Sequence, residues 1–172
     1  MTSLPDQMDA IHTLLVRWKE NDPLYSVGYR SKKKSLGARL LKHEAELESL
    51  PKPAEDALLY RAFDLKKAHR LADGSLSIIP RSIDLIDSWT VDAGWAIEHA
   101  NQFENGVVMR MKASDLSVLV DVDAFADAVG DENLSIEGEV LVRSQSIVVP
   151  QADWTWSEDD FPENVPSSTP KM

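Results

Sequence analysis

The sequence predicts an α+β fold: N-terminal helices capping a mostly antiparallel β core, with one helix inserted into that core. Three observations predict it. Through the first fifty residues, apolar side chains recur at helical spacing and stop at Pro51 and Pro53. Beyond Pro53 the texture changes to short apolar and β-branched runs separated by turn signals. One later stretch, Val91 to Phe103, returns to helical spacing behind Thr90 and Asp92, either of which suits an N-cap.

The elements follow in chain order. From about Pro5 to Glu20, Met8, Ile11, Leu14, Leu15 and Trp18 mark one face of a helix that Asn21-Asp22-Pro23 ends. A second helix is expected from Ser31 to Leu50, turning Leu36, Leu40, Leu41, Ala45, Leu47 and Leu50 inward. Residues 1–53 are too few to be a sound domain alone, so they are expected to cap the rest. Ala57 to Phe63 reads as a buried strand, Asp73-Gly74 as a turn and Ser82 to Trp89 as a second strand. The helix after it should bury Trp95, Ile97, Ala100 and Phe103. Asn105-Gly106 turns the chain into a strand over Val107 to Met111. Leu116 to Val122 is strand-like, Phe125 to Val129 suits a helical turn, and Gly130 to Asn133 is loop. Glu139 to Val149 is one long strand, or two with a kink near Ser144. The core is thus expected over 54–151. Residues 152–172 read as an acidic, flexible tail, part of it pinned by Trp154, Trp156 and Phe161.

Composition narrows the function. The 172 residues, 43% of them hydrophobic, suit one domain. The absence of cysteine excludes disulfides, thiolate metal sites and cysteine nucleophiles. The net charge of −11 falls entirely on residues 58–172, an acidic body that repels phosphate backbones. Against it stands a basic cluster within 30–42: Arg30, Lys32, Lys33, Lys34, Arg39 and Lys42. That cluster reads as a solvated helix face, or as a docking surface for an acidic partner or RNA. Met1 to Ala10 has no apolar signal core, and no apolar run nears the roughly 18 residues of a membrane span. A soluble, cytoplasmic monomer is expected. His12, His43, His69 and His99 have no metal-ligand spacing, and Asp121 with Asp123 suits a solvated strand edge, so no metal is expected. Walker, Rossmann and Ser-His-Asp patterns are absent from the sequence.

Three segments carry chemistry. Arg61 follows Tyr60 inside an apolar run, where an arginine is rarely found unless paired, here to Asp64 or Asp87. Ser88-Trp89-Thr90 immediately precedes the predicted helix. Glu137 and Glu139 stand two apart before Val140-Leu141-Val142, so on a strand they share one side and repel each other. Separately, a buried ion pair, helix capping and an exposed strand face would explain them. Together, and in this order, they ask for one site.

In this order the segments resemble the arginine–serine–glutamate class of mono-ADP-ribosyltransferases, the cholera-toxin-like group that includes small phage and bacterial enzymes. That family carries an arginine on its first core strand, a Ser-x-Ser/Thr on the second and a Glu-x-Glu opening a later one. Arg61, Ser88-Trp89-Thr90 and Glu137-Gly138-Glu139 match it, over about Leu58 to Val149. Ala62 departs from it, since many relatives have glycine after the arginine. The resemblance implies a split β-sheet core, NAD as substrate and no metal. It implies Glu139 as the carboxylate beside the reacting ribose, Glu137 as the group that orients the acceptor, and Ser88 as support for Glu139. It places Arg61 on the pyrophosphate, with Tyr60, Trp89 and Thr90 lining the NAD pocket and Trp89 a candidate to stack on nicotinamide. The acceptor would be an arginine of a host protein, or RNA; water as acceptor would make the protein an NAD glycohydrolase. A binding module without catalysis is the third reading.

Overall fold

The computed structural model describes residues 4–21, 26–82, 84–134 and 138–161. The chain begins with helices α1 (Leu4–Glu20), α2 (Tyr29–Leu41) and α3 (Glu44–Leu47). The helix expected over 31–50 is thus two helices, with a break at Lys42 and His43. Strands β1 (Leu58–Asp64), β2 (His69–Arg70), β3 (Leu76–Ile78) and β4 (Ile86–Thr90) follow. Helix α4 (Ala93–Ala100) is next, then β5 (Gly106–Lys112), β6 (Val118–Asp121), α5 (Val122–Val129), β7 (Glu139–Arg143), β8 (Ile147–Val149) and β9 (Trp154–Trp156). Among the described residues, five α-helices with antiparallel sheets make the α+β class.

Two sheets form. The larger runs β6-β7-β4-β1-β5-β9 and the smaller β2-β3-β8. Within the larger sheet β1 pairs with β5 at seven positions, from Leu58↔Lys112 to Asp64↔Gly106. Its other neighbour, β4, meets it at a single pair, Tyr60↔Thr90. The sheet therefore parts into two halves, β6-β7-β4 and β1-β5-β9, joined at that point. Glu139 to Val149 divides near Ser144, as one of the two sequence readings had it: β7 lies in the large sheet and β8 in the small one.

Side chains alternate across a strand, so the register assigns each residue a face. One face of the large sheet carries Leu59, Trp89, Val107, Met109, Val140 and Val142, which pack against Leu76, Ile78, Ile147 and Val149 of the small sheet. The opposite face is covered by helices in two blocks. Ile86, Leu119 and Leu141 pack under α1, α2 and α5. Val108, with Tyr60 and Ala62 beside it, packs under Ala96 and Ala100 of α4. The N-terminal helices thus share a core with the sheet.

One expectation is corrected here and another refined. Phe103, predicted to turn inward, is 40% exposed, because α4 ends at Ala100 and the chain turns toward β5. Residues 154–156 lie in the tail expected over 152–172, in the part expected to be pinned by Trp154, Trp156 and Phe161, and they form a regular edge strand, β9, paired to Val107–Met109 of β5. Trp154 and Phe161 are buried, and the Trp154 Nε1–H donates to the Gly74 carbonyl at 2.8 Å. The close turn at Gly106 has a steric cause: a Cβ there would lie 1.8 Å from the Ala100 carbonyl oxygen. No described helix is long and apolar enough to cross a membrane.

Candidate active site

Ser88 sits in the middle of β4 and Glu139 opens β7, the strand beside it. Thr90 pairs with Glu139 and Ser88 with Leu141 across the ladder, so all three polar side chains share the helix-covered face. The Ser88 hydroxyl donates a hydrogen bond to Oε2 of Glu139. Ser88 is exposed and Glu139 half-buried, while Leu141 and Ile86 beside them are buried under the N-terminal helices. The pair therefore lies in the strip between the two helical blocks, next to the point where β1 and β4 part.

Local structure fixes the approach to this strip. Gly138 adopts φ +61° just before β7, and its carbonyl accepts the Val91 N–H at 3.0 Å. A Cβ at Gly138 would come within 2.8 Å of Val91 Cγ2, so a side chain there would clash as well as strain the backbone. Thr90 Oγ1 accepts the Asp92 N–H at 2.9 Å, and the Asp92 carboxylate accepts the Trp95 N–H at 3.2 Å. Asp92 is thus the N-cap of α4, and Thr90 shapes the turn before it. Glu137, the second carboxylate of the predicted pair, lies outside the described residues, as do Ser135 and Ile136.

The remaining predicted residues divide. Tyr60 lies on the same face as Ser88 and Glu139, half-buried, its ring 6.0 Å from that of Phe161. Trp89 does not: it is 2% exposed and points into the space between the two sheets, so it cannot stack on a ligand at Glu139. Arg61 also falls on that far face. Its guanidinium lies 3.2 Å from Asp87 Oδ2 and 5.4 Å from the Phe63 ring. Asp87 alternates with Ser88 on β4, which places the ion pair and the Ser88–Glu139 pair on opposite sides of the sheet. The expectation that Arg61 and Glu139 face one another is corrected by this alternation. Of the ion-pair partners considered for Arg61, the structure selects Asp87.

The chain matches no family model, no curated protein and no solved structure.

A second arginine was legible and passed over. Arg110 interrupts the apolar run Val107 to Met111 much as Arg61 interrupts its own strand. It is 6% exposed, pairs in register with Tyr60, donates Nε–H to Asp153 Oδ1 at 3.0 Å and lies 4.3 Å over the Phe161 ring. The signal was the same one, a cation inside a buried strand that must find a partner. Among the described residues no three His, Asp or Glu side chains gather closely enough to hold a metal ion. Two cavities, of about 180 and about 320 Å³, lie away from Ser88 and Glu139. The candidate site is an open strip on the surface.

Proposed function

We propose that Ser88 and Glu139 form the reaction centre of an enzyme that transfers ADP-ribose from NAD to a macromolecular acceptor. One observation carries the reading: a serine hydroxyl holds a half-exposed carboxylate across adjacent strands, on the open strip where the sheet parts. A hydroxyl donor fixes the direction of the carboxylate without neutralising it, which a group facing a cationic sugar requires. Arg61, Ser88 with Thr90, and Glu139 also lie on strands β1, β4 and β7 of one sheet.

In this reading the bond between ribose C1′ and the nicotinamide nitrogen breaks, and its electron pair leaves with nicotinamide. Positive charge develops on the ribose as in glycoside cleavage, and Glu139 stabilises it. The acceptor then forms the new bond to C1′ and loses a proton. Ser88 is a positioning residue, holding Glu139 toward the ribose. A protein arginine is the first-choice acceptor, and RNA the second. The role of Arg61 changes: its charge is already met by Asp87 on the far face, so it ties β1 to β4 below the point where they part. The pyrophosphate contact is left without an assigned residue.

The experiment uses labelled NAD, a cell lysate and the Glu139→Ala variant. Label on a macromolecule with the wild-type chain but not with the variant supports the reading. Equal labelling by both would falsify it. Nicotinamide release without macromolecular label identifies the glycohydrolase reading. A second reading draws on the Arg61–Asp87 pair: with that arginine engaged in the fold, the sheet could serve a binding module. Absence of NAD binding in calorimetry would decide for the module.

A further inference from the structure

The basic cluster of the second helix changes meaning once folded. Lys33 is taken up by the protein itself, 3.5 Å from Asp84, on the side of α2 where Gly37 packs against Leu85 and Ile86. At about 100° per residue, Lys32, Ser35, Arg39 and Lys42 fall within roughly 80° of one another. All four are exposed. They make a stripe about 15 Å long at 1.5 Å per residue. Arg39, Lys42 and His43 line a groove of about 320 Å³ with Thr13 and Arg17 of α1. No Asp or Glu lines that groove, and none occurs in α2.

This is not how a helix dissolves its outer face. Solvation alone is served by mixed charges, with acids in the first turn and Glu–Lys pairs four apart. Helix α2 instead has no acid in its first turn, and Arg30, Lys32 and Lys33 lie at its positive end. Arg39 and Lys42 set like charges three apart. The cations of the first turn oppose helix stability, while Arg39 and Lys42 stand side by side at the end where the helix dipole favours cations, and Arg17 adds a further cation from a different element.

We infer that this groove and stripe bind the phosphate backbone of a single-stranded nucleic acid. The inference stands apart from the reading of Ser88 and Glu139. Arg39 and Lys42, three residues apart, are roughly 5–6 Å from one another, and Lys32 lies about 10 Å from Arg39 along the helix. A chain with one charge at every nucleotide can meet them in succession, and the arginine forks suit phosphate oxygens. The Thr13 and Ser35 hydroxyls add neutral donors. An acidic protein surface, with carboxylates scattered among other side chains, would meet one or two of them. No Phe, Tyr or Trp lines the groove and His43 is its one ring, so the contact should follow the backbone with little base preference. The acidic remainder of the chain, which carries the net charge of −11, confines the attraction to short range.

The test is fluorescence anisotropy of a labelled single-stranded oligouridylate with the full chain, across a salt series. Four phosphate contacts predict a slope of log K against log salt near −3, at about −0.7 per contact. Arg39→Ala with Lys42→Ala should weaken binding about tenfold or more and reduce the slope by about 1.4. Arg17→Ala, on the other helix, should reduce the slope by about 0.7. Arg30→Ala with Lys34→Ala, on another side of α2, should change affinity by less than about twofold, a uniform charge effect being small at these salts. Thermal unfolding of each variant checks that the helices stay folded. The proposal is overturned by no binding at low salt, by equal loss in both double variants, or by tighter binding of an oligoglutamate of equal charge.

Discussion

At the scale of single residues, the Ser88–Glu139 bond and the Arg61–Asp87 pair make separable predictions because they lie on opposite faces of β4. If Glu139 stabilises the cationic ribose, Glu139→Ala should lower nicotinamide release by about 10²–10³, the range for losing one preorganised electrostatic group. Ser88→Ala removes only the bond that directs the carboxylate. A hydrogen bond of about 1.5 kcal/mol predicts a loss near tenfold, read as kcat at saturating NAD, with the unfolding midpoint little changed. Equal losses in the two variants would contradict this division. Arg61 and Asp87 should behave as structure. Their side chains are 21% and 10% exposed, so removing either leaves its partner charged and largely buried, at a cost of about 2–4 kcal/mol in urea unfolding. Asp87→Asn combined with Arg61→Gln should cost less than the sum of the single changes. An Arg61→Gln variant with unchanged stability but weakened NAD binding would return Arg61 to the substrate. The sequence made each oddity legible, an arginine in an apolar strand and hydroxyls before a helix. It could not tell which face each residue took, because that depends on the register with β4, set by strands far away in the chain.

At the scale of elements, the turn into β7 and the seat of α2 are the informative cases. Gly138 holds a positive φ and leaves no room for a Cβ against Val91. Gly138→Ala should therefore lower stability by at least 1–2 kcal/mol, on the order of the left-handed penalty alone. It should also lower NAD turnover, because it displaces the entry to Glu139. A variant with normal thermal midpoint and turnover would show that the turn tolerates another conformation. Helix α2 is seated by Lys33 on Asp84, whose carboxylate Arg81 of the same loop also holds. Burial raises the Asp84 carboxyl, but the Arg81 hydrogen bond and the two nearby cations outweigh it and hold it below the usual range. A depressed carboxylate stabilises the fold above its unfolded-state pKa, and that stability is lost as pH falls through the folded value. Asp84→Asn should thus flatten the loss of stability below about pH 4 and cost stability at neutral pH, both measurable by urea unfolding. An unchanged acid limb would remove Asp84 from this role. The helices themselves were legible from spacing, since their contacts repeat every three or four residues. The division of α2 from α3 was not: Leu40, Leu41, Leu47 and Leu50 continue the apolar spacing across Lys42 and His43, so no local signal interrupts it.

At the scale of the whole molecule, the large sheet is held from both faces. The small sheet covers one face and two helical blocks the other, and the open strip follows from the gap between the blocks. The α+β class was legible in the change of texture after Pro53. The short strands β2, β3 and β8 were harder to read as one sheet, because two or three residues make little pattern without their partners. The C-terminal region shows the same difficulty most plainly. Acidic residues and prolines announce a tail, yet Trp154, Trp156 and Phe161 return to the body and complete it. Strand β9 covers the free edge of β5, Trp154 bonds to the Gly74 turn, and Asp153 with Phe161 holds buried Arg110. Losing the segment would thus uncover the surface that Trp154 and Phe161 bury and strand a buried cation in one step. Trp154→Ala should cost about 3–5 kcal/mol, within what a stable domain survives. A chain cut after Gln151 loses the strand pairing, Phe161 and the Arg110 partner as well, and those losses together approach the whole stability of a domain this size. That chain should lose its cooperative thermal transition and its near-ultraviolet circular dichroism, while Trp154→Ala keeps both at a lower midpoint. A cut chain that melts cooperatively at the wild-type temperature would make β9 a passenger, and residues 152–161 would belong with the tail after all.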